Sequence, residues 1–121
     1  MDEAERLEKE IQQFFKVDPI GDRGLFVIYT PIKLGCNLLE LYVSKTFTDR
    51  YRISDDGYIF ADYLFDEKIE EQLGKSAQKF GFKFAYGEVE KYVDDSKDIV
   101  NVIFKIVEWY YTEARQIIDI N

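Results

Sequence analysis

The sequence predicts an α+β domain in which a small antiparallel sheet packs against helices. Between residues 25 and 54, apolar residues come in short alternating or continuous runs, the signature of strands. In three other stretches they recur at helical spacing instead. The two patterns meet at Tyr51-Arg52-Ile53-Ser54-Asp55-Asp56-Gly57-Tyr58. There two carboxylates and a glycine stop a strand, because Asp tolerates turn geometry and Gly takes φ > 0 without a steric penalty.

The elements follow in order. Residues 2–16 read as an amphipathic helix, with Ala4, Leu7, Ile11, Phe14 and Phe15 on one stripe. Leu7, Ile11 and Phe14 are expected to pack on the domain, and Pro19 and Gly21 end the pattern. Leu25 to Thr30 is a strand closed by Pro31, and Gly35-Cys36-Asn37 is a turn. Leu38 to Lys45 sets Leu39, Leu41 and Val43 against Leu38, Glu40, Tyr42 and Ser44, as a half-buried strand does. Arg50 to Ser54 completes a three-stranded meander. Residues 58–65 fit a strand or a helix equally well. Asp66 caps a middle helix over Glu67 to Phe80, buried through Ile69, Leu73, Ala77 and Phe80 and stopped by Gly81. Phe82 to Tyr86 and Val89 to Val93 form a short hairpin turning at Gly87. Asp94, Asp95 and Ser96 offer caps for a long C-terminal helix from Lys97 to Ile118.

A chain of 121 residues with 46% hydrophobic content suits one folded domain, residues 1–121, and its aromatic share of 17% is high. A formal net charge of -8, spread over both halves, opposes direct binding to a phosphate backbone. Asp2, Glu3 and Glu5 are the wrong start for a secretory leader, and no uncharged apolar run is long enough for a membrane helix. With the single Cys36 excluding an internal disulfide, the expected setting is cytoplasmic. The composition contains no histidine, which removes the usual general base, the usual zinc ligand and the common nucleophile triads.

Few residues are left to carry chemistry. Asp55 and Asp56 are the candidate metal ligands, since neighbouring carboxylates can hold a divalent cation, although their placement favours a turn. Asp66-Glu67-Lys68 and Asp95-Ser96-Lys97 match the spacing of a metal-dependent nuclease by letter, but both sit where helices begin. Cys36 has no histidine partner and reads as a small buried residue. The seven glycines form no phosphate-binding loop, and no cofactor is expected. Trp109, Tyr110 and Tyr111 are a different kind of candidate. Successive helical residues turn by about 100°, so three adjacent rings cannot share one core. The choice is between a helix buried on most sides and an interaction surface that exposes at least one ring.

The corner, followed by a helix, Phe80-Gly81 and Gly87-Glu88-Val89, resembles a family of short prokaryotic and phage proteins of unknown function. Ile28-Tyr29-Thr30-Pro31 and Glu40-Leu41-Tyr42-Val43 match that family's opening, and the likeness spans roughly residues 24–115. Phe60-Ala61-Asp62-Tyr63 stand where a Leu and a Gly are usual. The resemblance implies a prokaryotic or viral origin and helix after Gly57, and it brings no catalytic residue.

The reading that best fits these features is a non-catalytic protein-interaction module. A narrower form is an inhibitor of a host nucleic-acid-binding defence enzyme that presents carboxylates where phosphates would bind. The alternative is a metal-dependent hydrolase or nuclease using Asp55 and Asp56, and a small-ligand sensor with an aromatic pocket ranks third. Self-association as a two-fold homodimer through the C-terminal helix is also expected, anchored by Trp109 or Tyr110 with Tyr111.

Overall fold

The computed structural model describes Lys9 and residues 14–21, 24–63 and 65–120. Its six strands are β1 (Lys16–Ile20), β2 (Leu25–Leu34), β3 (Asn37–Lys45), β4 (Tyr51–Ser54), β5 (Lys83–Ala85) and β6 (Glu88–Val93). They make one antiparallel sheet in the order β1-β2-β3-β4-β6-β5. The fold is α+β, as expected, but the sheet is larger than a meander with a separate hairpin. β6 pairs with β4, Tyr51 opposite Val93 and Ser54 opposite Glu90, so the hairpin extends the meander.

The other added strand corrects the first predicted helix at its C-terminal end alone. Lys9 is helical, as expected, but the chain has left the helix by Phe14 and β1 begins at Lys16. Leu7 and Ile11 lie outside the described residues. Phe14 is 58% exposed, while Phe15 and Val17 enter the core, and Lys16 already pairs with Tyr29. That alternation is strand periodicity, and although Pro19 and Ile20 are both exposed, the pairing with β2 carries on through Pro19, opposite Phe26. Proline is tolerated on an edge strand, where its missing N–H need not serve a ladder, and with Lys16 and Asp18 it blunts the edge. Pro31 likewise does not end β2. It falls within the register shift between Tyr29 and Lys33, where the ladder is already interrupted.

α1 (Glu67–Lys79) begins as the sequence requires, with Asp66 Oδ1 accepting from the Ile69 amide at 2.8 Å. It ends with the Phe82 amide bonded to the Ala77 carbonyl around a left-handed Gly81. Leu73 and Ala77 are buried, and the helix crosses β5 so closely that a Cβ on Gly74 would meet the Phe84 carbonyl at 3.2 Å. The C-terminal helix has three parts: α2 (Asp98–Trp109), a π-helical turn (Tyr110–Ala114) and α3 (Arg115–Ile120). Asp95 caps the turn before it, accepting from the Lys97 amide at 3.0 Å. Among the described residues no helix is long and apolar enough to cross a membrane.

Residues 58–63 are neither strand nor helix. They form consecutive turns, with the Ala61 amide on the Tyr58 carbonyl and the Tyr63 amide on the Phe60 carbonyl. This geometry buries two successive residues, Ile59 and Phe60. Phe60 becomes the hub of the aromatic core, with the rings of Tyr63, Phe65, Phe84, Trp109 and Tyr110 centred 5.4–6.1 Å away. A strand would have turned one of the pair outward.

Candidate functional site

Side chains of directly opposed residues in antiparallel strands share a face, so the register sorts the sheet. The inner face carries Val17, Phe26, Ile28, Leu41, Val43, Tyr51, Ile53 and Val89, all in one cluster with the buried residues of α1 and α2. The outer face carries none of that cluster. Across it one row runs Asp18, Val27, Tyr42, Ser54, Glu90, Lys83, and a second runs Ile20, Leu25, Ser44, Arg52, Tyr92. Val27 and Ser54 are themselves buried on this side, and the half-exposed tyrosines and charged side chains around them make the candidate interaction surface.

The Asp55-Asp56-Gly57-Tyr58 corner borders it. Asp56 and Gly57 both have positive φ, 53° and 78°, and the Tyr58 amide bonds the Asp55 carbonyl, the pattern of a tight mirror-image turn. The two carboxylates do not converge. Asp55 is 0% exposed, and its Oδ1 accepts from the Val89 amide at 2.8 Å and the Gly57 amide at 3.0 Å. Its Oδ2 accepts from the Ile59 amide at 3.2 Å. Burial raises the Asp55 pKa, and the three amides pull it back only in part. Asp56 faces solvent. No group of three or more His, Cys, Asp or Glu placed to hold a metal ion occurs among the described residues. The carboxylate pair read from the sequence is therefore one structural acid inside and one exposed acid outside.

Beside the corner lies a polar cluster that sequence reasoning missed. Arg52 bonds Glu88 through Nη2 and Glu90 through Nε at 2.7 Å, and Ser54 Oγ donates to Glu88 Oε1 at 2.7 Å. The Ser54 bond, followed by Arg52, holds the Glu88 carboxyl below its ordinary value. Only the pairing of β4 with β6 joins residues so far apart in the chain. The tyrosines of this face were more legible, because alternation along β3 already put Tyr42 on its exposed side. The Tyr42 and Tyr58 rings stack with centroids 6.4 Å apart and planes at 30°, and Tyr58 is 52% exposed. The Tyr42 phenol is pushed up by burial first, then by Tyr58, Glu40, Asp56 and Tyr29. Lys16 stands over Tyr29 and Arg50 over Tyr92, each 5.6 Å from the ring centre.

The structure separates Trp109, Tyr110 and Tyr111. Trp109 is 0% exposed and Tyr110 is buried, so these two belong to the chain's own core and are not surface anchors. The π turn accounts for this. Its wider winding shifts the side-chain register and lets two successive rings point inward. Trp109 Nε1 donates to Ser76 Oγ at 3.0 Å, Ser76 donates to Glu113 Oε1 at 2.9 Å, and Lys79 bonds that oxygen at 3.0 Å. Tyr110, its phenol pushed up to about 12 chiefly by burial, reaches beneath the β2–β3 turn. A Cβ on Gly35 would lie 2.8 Å from the Tyr110 hydroxyl, so that turn needs glycine for space as well as for its φ of 65°. Tyr111 is partly exposed and donates to the Lys33 carbonyl. Cys36, in the same turn, is exposed and not buried as its type suggested.

No family model, curated protein or solved structure matches this chain.

Proposed function

We propose that the chain is a non-catalytic protein-interaction module that binds its partner through the open face of the sheet. The observation that supports this most is the asymmetry of that sheet. One face is packed by helices, and the other presents tyrosines among carboxylates. Aromatic residues are enriched where proteins bind one another. A formal charge of -8 favours a basic partner. The narrower form, an inhibitor of a nucleic-acid-binding defence enzyme in a prokaryotic or viral setting, rests on that charge and on the resemblance of the corner. The competing metal-dependent hydrolase loses support because the Asp55 oxygens already serve three backbone amides.

The test is capture of partner protein from a lysate of the source organism by wild type, Ser44→Lys and Phe104→Lys. Ser44 lies mid-row on the open face, and Phe104 is exposed on the helical side. Ser44→Lys should lose the captured protein and Phe104→Lys should keep it, both retaining native circular dichroism. Equal capture by all three would defeat the proposal. Hydrolysis of a nucleic acid or ester in Mg²⁺ that disappears with Asp56→Asn would favour the hydrolase.

Self-association through the C-terminal helix is a second reading, supported by the exposure of Phe104, Tyr111 and Ile120. Light scattering after size exclusion tests it. A mass near 14.4 kDa at concentrations on the order of 100 μM, well above ordinary dimer dissociation constants, would remove it.

A further inference from the structure

We propose that the stacked Tyr42–Tyr58 pair, with the carboxylates of Glu40 and Asp56, is the subsite on the open face that receives an arginine side chain of a protein partner. This inference rests on the interaction reading and gives its partner a chemistry.

The position comes first. Tyr42 lies on β3, one of the two central strands, opposite Ser54 of β4, and Tyr58 follows the corner that ends β4. Their rings are stacked and Tyr58 keeps half its surface in solvent, so a planar group can reach the pair without rearrangement. The faces of aromatic rings carry negative charge density that attracts cations.

The electrostatics agree. Glu40 and Asp56 both contribute to raising the Tyr42 phenol, so both act on its hydroxyl as negative charges. Burial, the largest cause of that shift, disfavours any charge, but the repulsion from these two carboxylates is the part that attracts a cation.

The same face repeats this chemistry with the chain's own residues. Lys16 covers Tyr29 and pairs with Asp18 at 3.8 Å, while Arg50 covers Tyr92 and pairs with Asp94 at 2.8 Å. Each is a ring, a cation and a carboxylate. At Tyr42–Tyr58 the rings and carboxylates are present, and among the described residues no cation stands over either ring. Arg52 does not supply one, because its guanidinium is held by Glu88 and Glu90. Arginine fits better than lysine. Its flat guanidinium stacks on a ring while its fork of donors reaches a carboxylate, whereas an ammonium is a compact and strongly hydrated charge.

The probe is a hexa-arginine peptide titrated into full-length protein, followed by the ring resonances of the tyrosines. An acidic protein attracts any such peptide, so the decisive variant leaves charge unchanged. Tyr58→Ala should weaken binding by about two- to fivefold, the size of a solvent-exposed cation–π contact, and Tyr58→Phe should restore it. Glu40→Gln with Asp56→Asn should weaken it further, and hexa-lysine should bind less tightly than hexa-arginine. Shifts should centre on Tyr42 and Tyr58. Unchanged affinity in Tyr58→Ala would overturn the inference. So would shifts confined to the acidic turn of α1 around Glu67, Glu70 and Glu71. If either occurred while Ser44→Lys still abolished partner capture, the arginine subsite would fall and the interaction reading would stand.

Discussion

Two tight turns lie side by side at one end of the sheet, and they have almost the same backbone. In the corner, Asp56 and Gly57 have φ of 53° and 78°; at the β5–β6 hairpin tip, Tyr86 and Gly87 have 53° and 76°. A Cβ on Gly57 would sit 3.8 Å from the Gly87 carbonyl. Their supports differ. The corner is pinned by its own first residue, whose buried carboxylate holds two amides of its own loop and one across in β6. The tip starts from Ala85, which has no such group, and is steadied from α1, where Glu70 accepts from the Gly87 amide at 3.2 Å. The left-handed position holds Asp, which accepts that conformation, in the corner. At the tip it holds Tyr86, 97% exposed, which does not accept it readily. One backbone shape can thus be a rigid bracket or a free tip, depending on whether a side chain turns inward to hold it.

That contrast breaks most severely at Asp55. Asp55→Ala gives the corner the same first residue as the tip and strands three amides. Two of these donors, on Ile59 and Val89, are buried, and each costs about 1–3 kcal/mol when left unpaired, so the variant should lose at least about 2 kcal/mol in denaturant unfolding. A loss under about 1 kcal/mol would show that the turn holds itself.

Titration sharpens the same point. Burial sets the folded Asp55 pKa above its unfolded value, so the native state keeps the proton longer. Stability from this residue is full below the ordinary aspartate range and falls as pH rises through the raised value. Glu88, held below its ordinary value first by Ser54, behaves oppositely, with stability lost as pH falls through its lowered value. Carboxyl-carbon NMR should find Asp55 titrating above a free aspartate and Glu88 below a free glutamate. Asp55→Asn should abolish the decline of stability on the rising side. It should also lower stability at every pH, because its amide nitrogen cannot accept from the backbone amide that one carboxylate oxygen now serves.

The two glycines come next. Gly57→Ala and Gly87→Ala should each cost about 1–2 kcal/mol, because both residues are left-handed and neither added Cβ meets an atom closer than 3.8 Å. A much larger cost at Gly57 alone would mean that the corner is packed, not merely strained. The smallest effect is at Tyr86. Tyr86→Asn should stabilise by about 0.5 kcal/mol, since asparagine tolerates this conformation and the ring contributes little where it stands. A loss of stability would reveal a contact that Tyr86 makes in solution.

Several residues announce their roles by local chemistry alone. Asp66 before an apolar stripe and Gly81 after it define α1, because a cap and a left-handed stop need only near neighbours. Alternation through Leu39, Leu41 and Val43 orients β3 and thereby places Tyr42 outward. Asp56-Gly57 predicts a turn because both residues take φ > 0. Other roles could not be read this way. β1 is a strand only because β2 pairs with it, and its Pro19 and flanking charges look like the end of a helix in isolation. Ile59 and Phe60 are both buried because the core surrounds them on two sides, which no single period encodes.

The sequence by itself determined the α+β class, the middle helix, the three meander strands and the acidity of the surface, all of which follow from periods and caps a few residues long. The tertiary structure alone decided that Asp55 turns inward while Asp56 turns outward, since the amide of Val89 reaches that carboxylate only once β6 lies beside β4. It also decided that Trp109 and Tyr110 serve the core and Tyr111 the surface. That division depends on a π turn fixed by Ser76, Glu113 and the Gly35 hairpin, which are distant in the chain and adjacent only after folding.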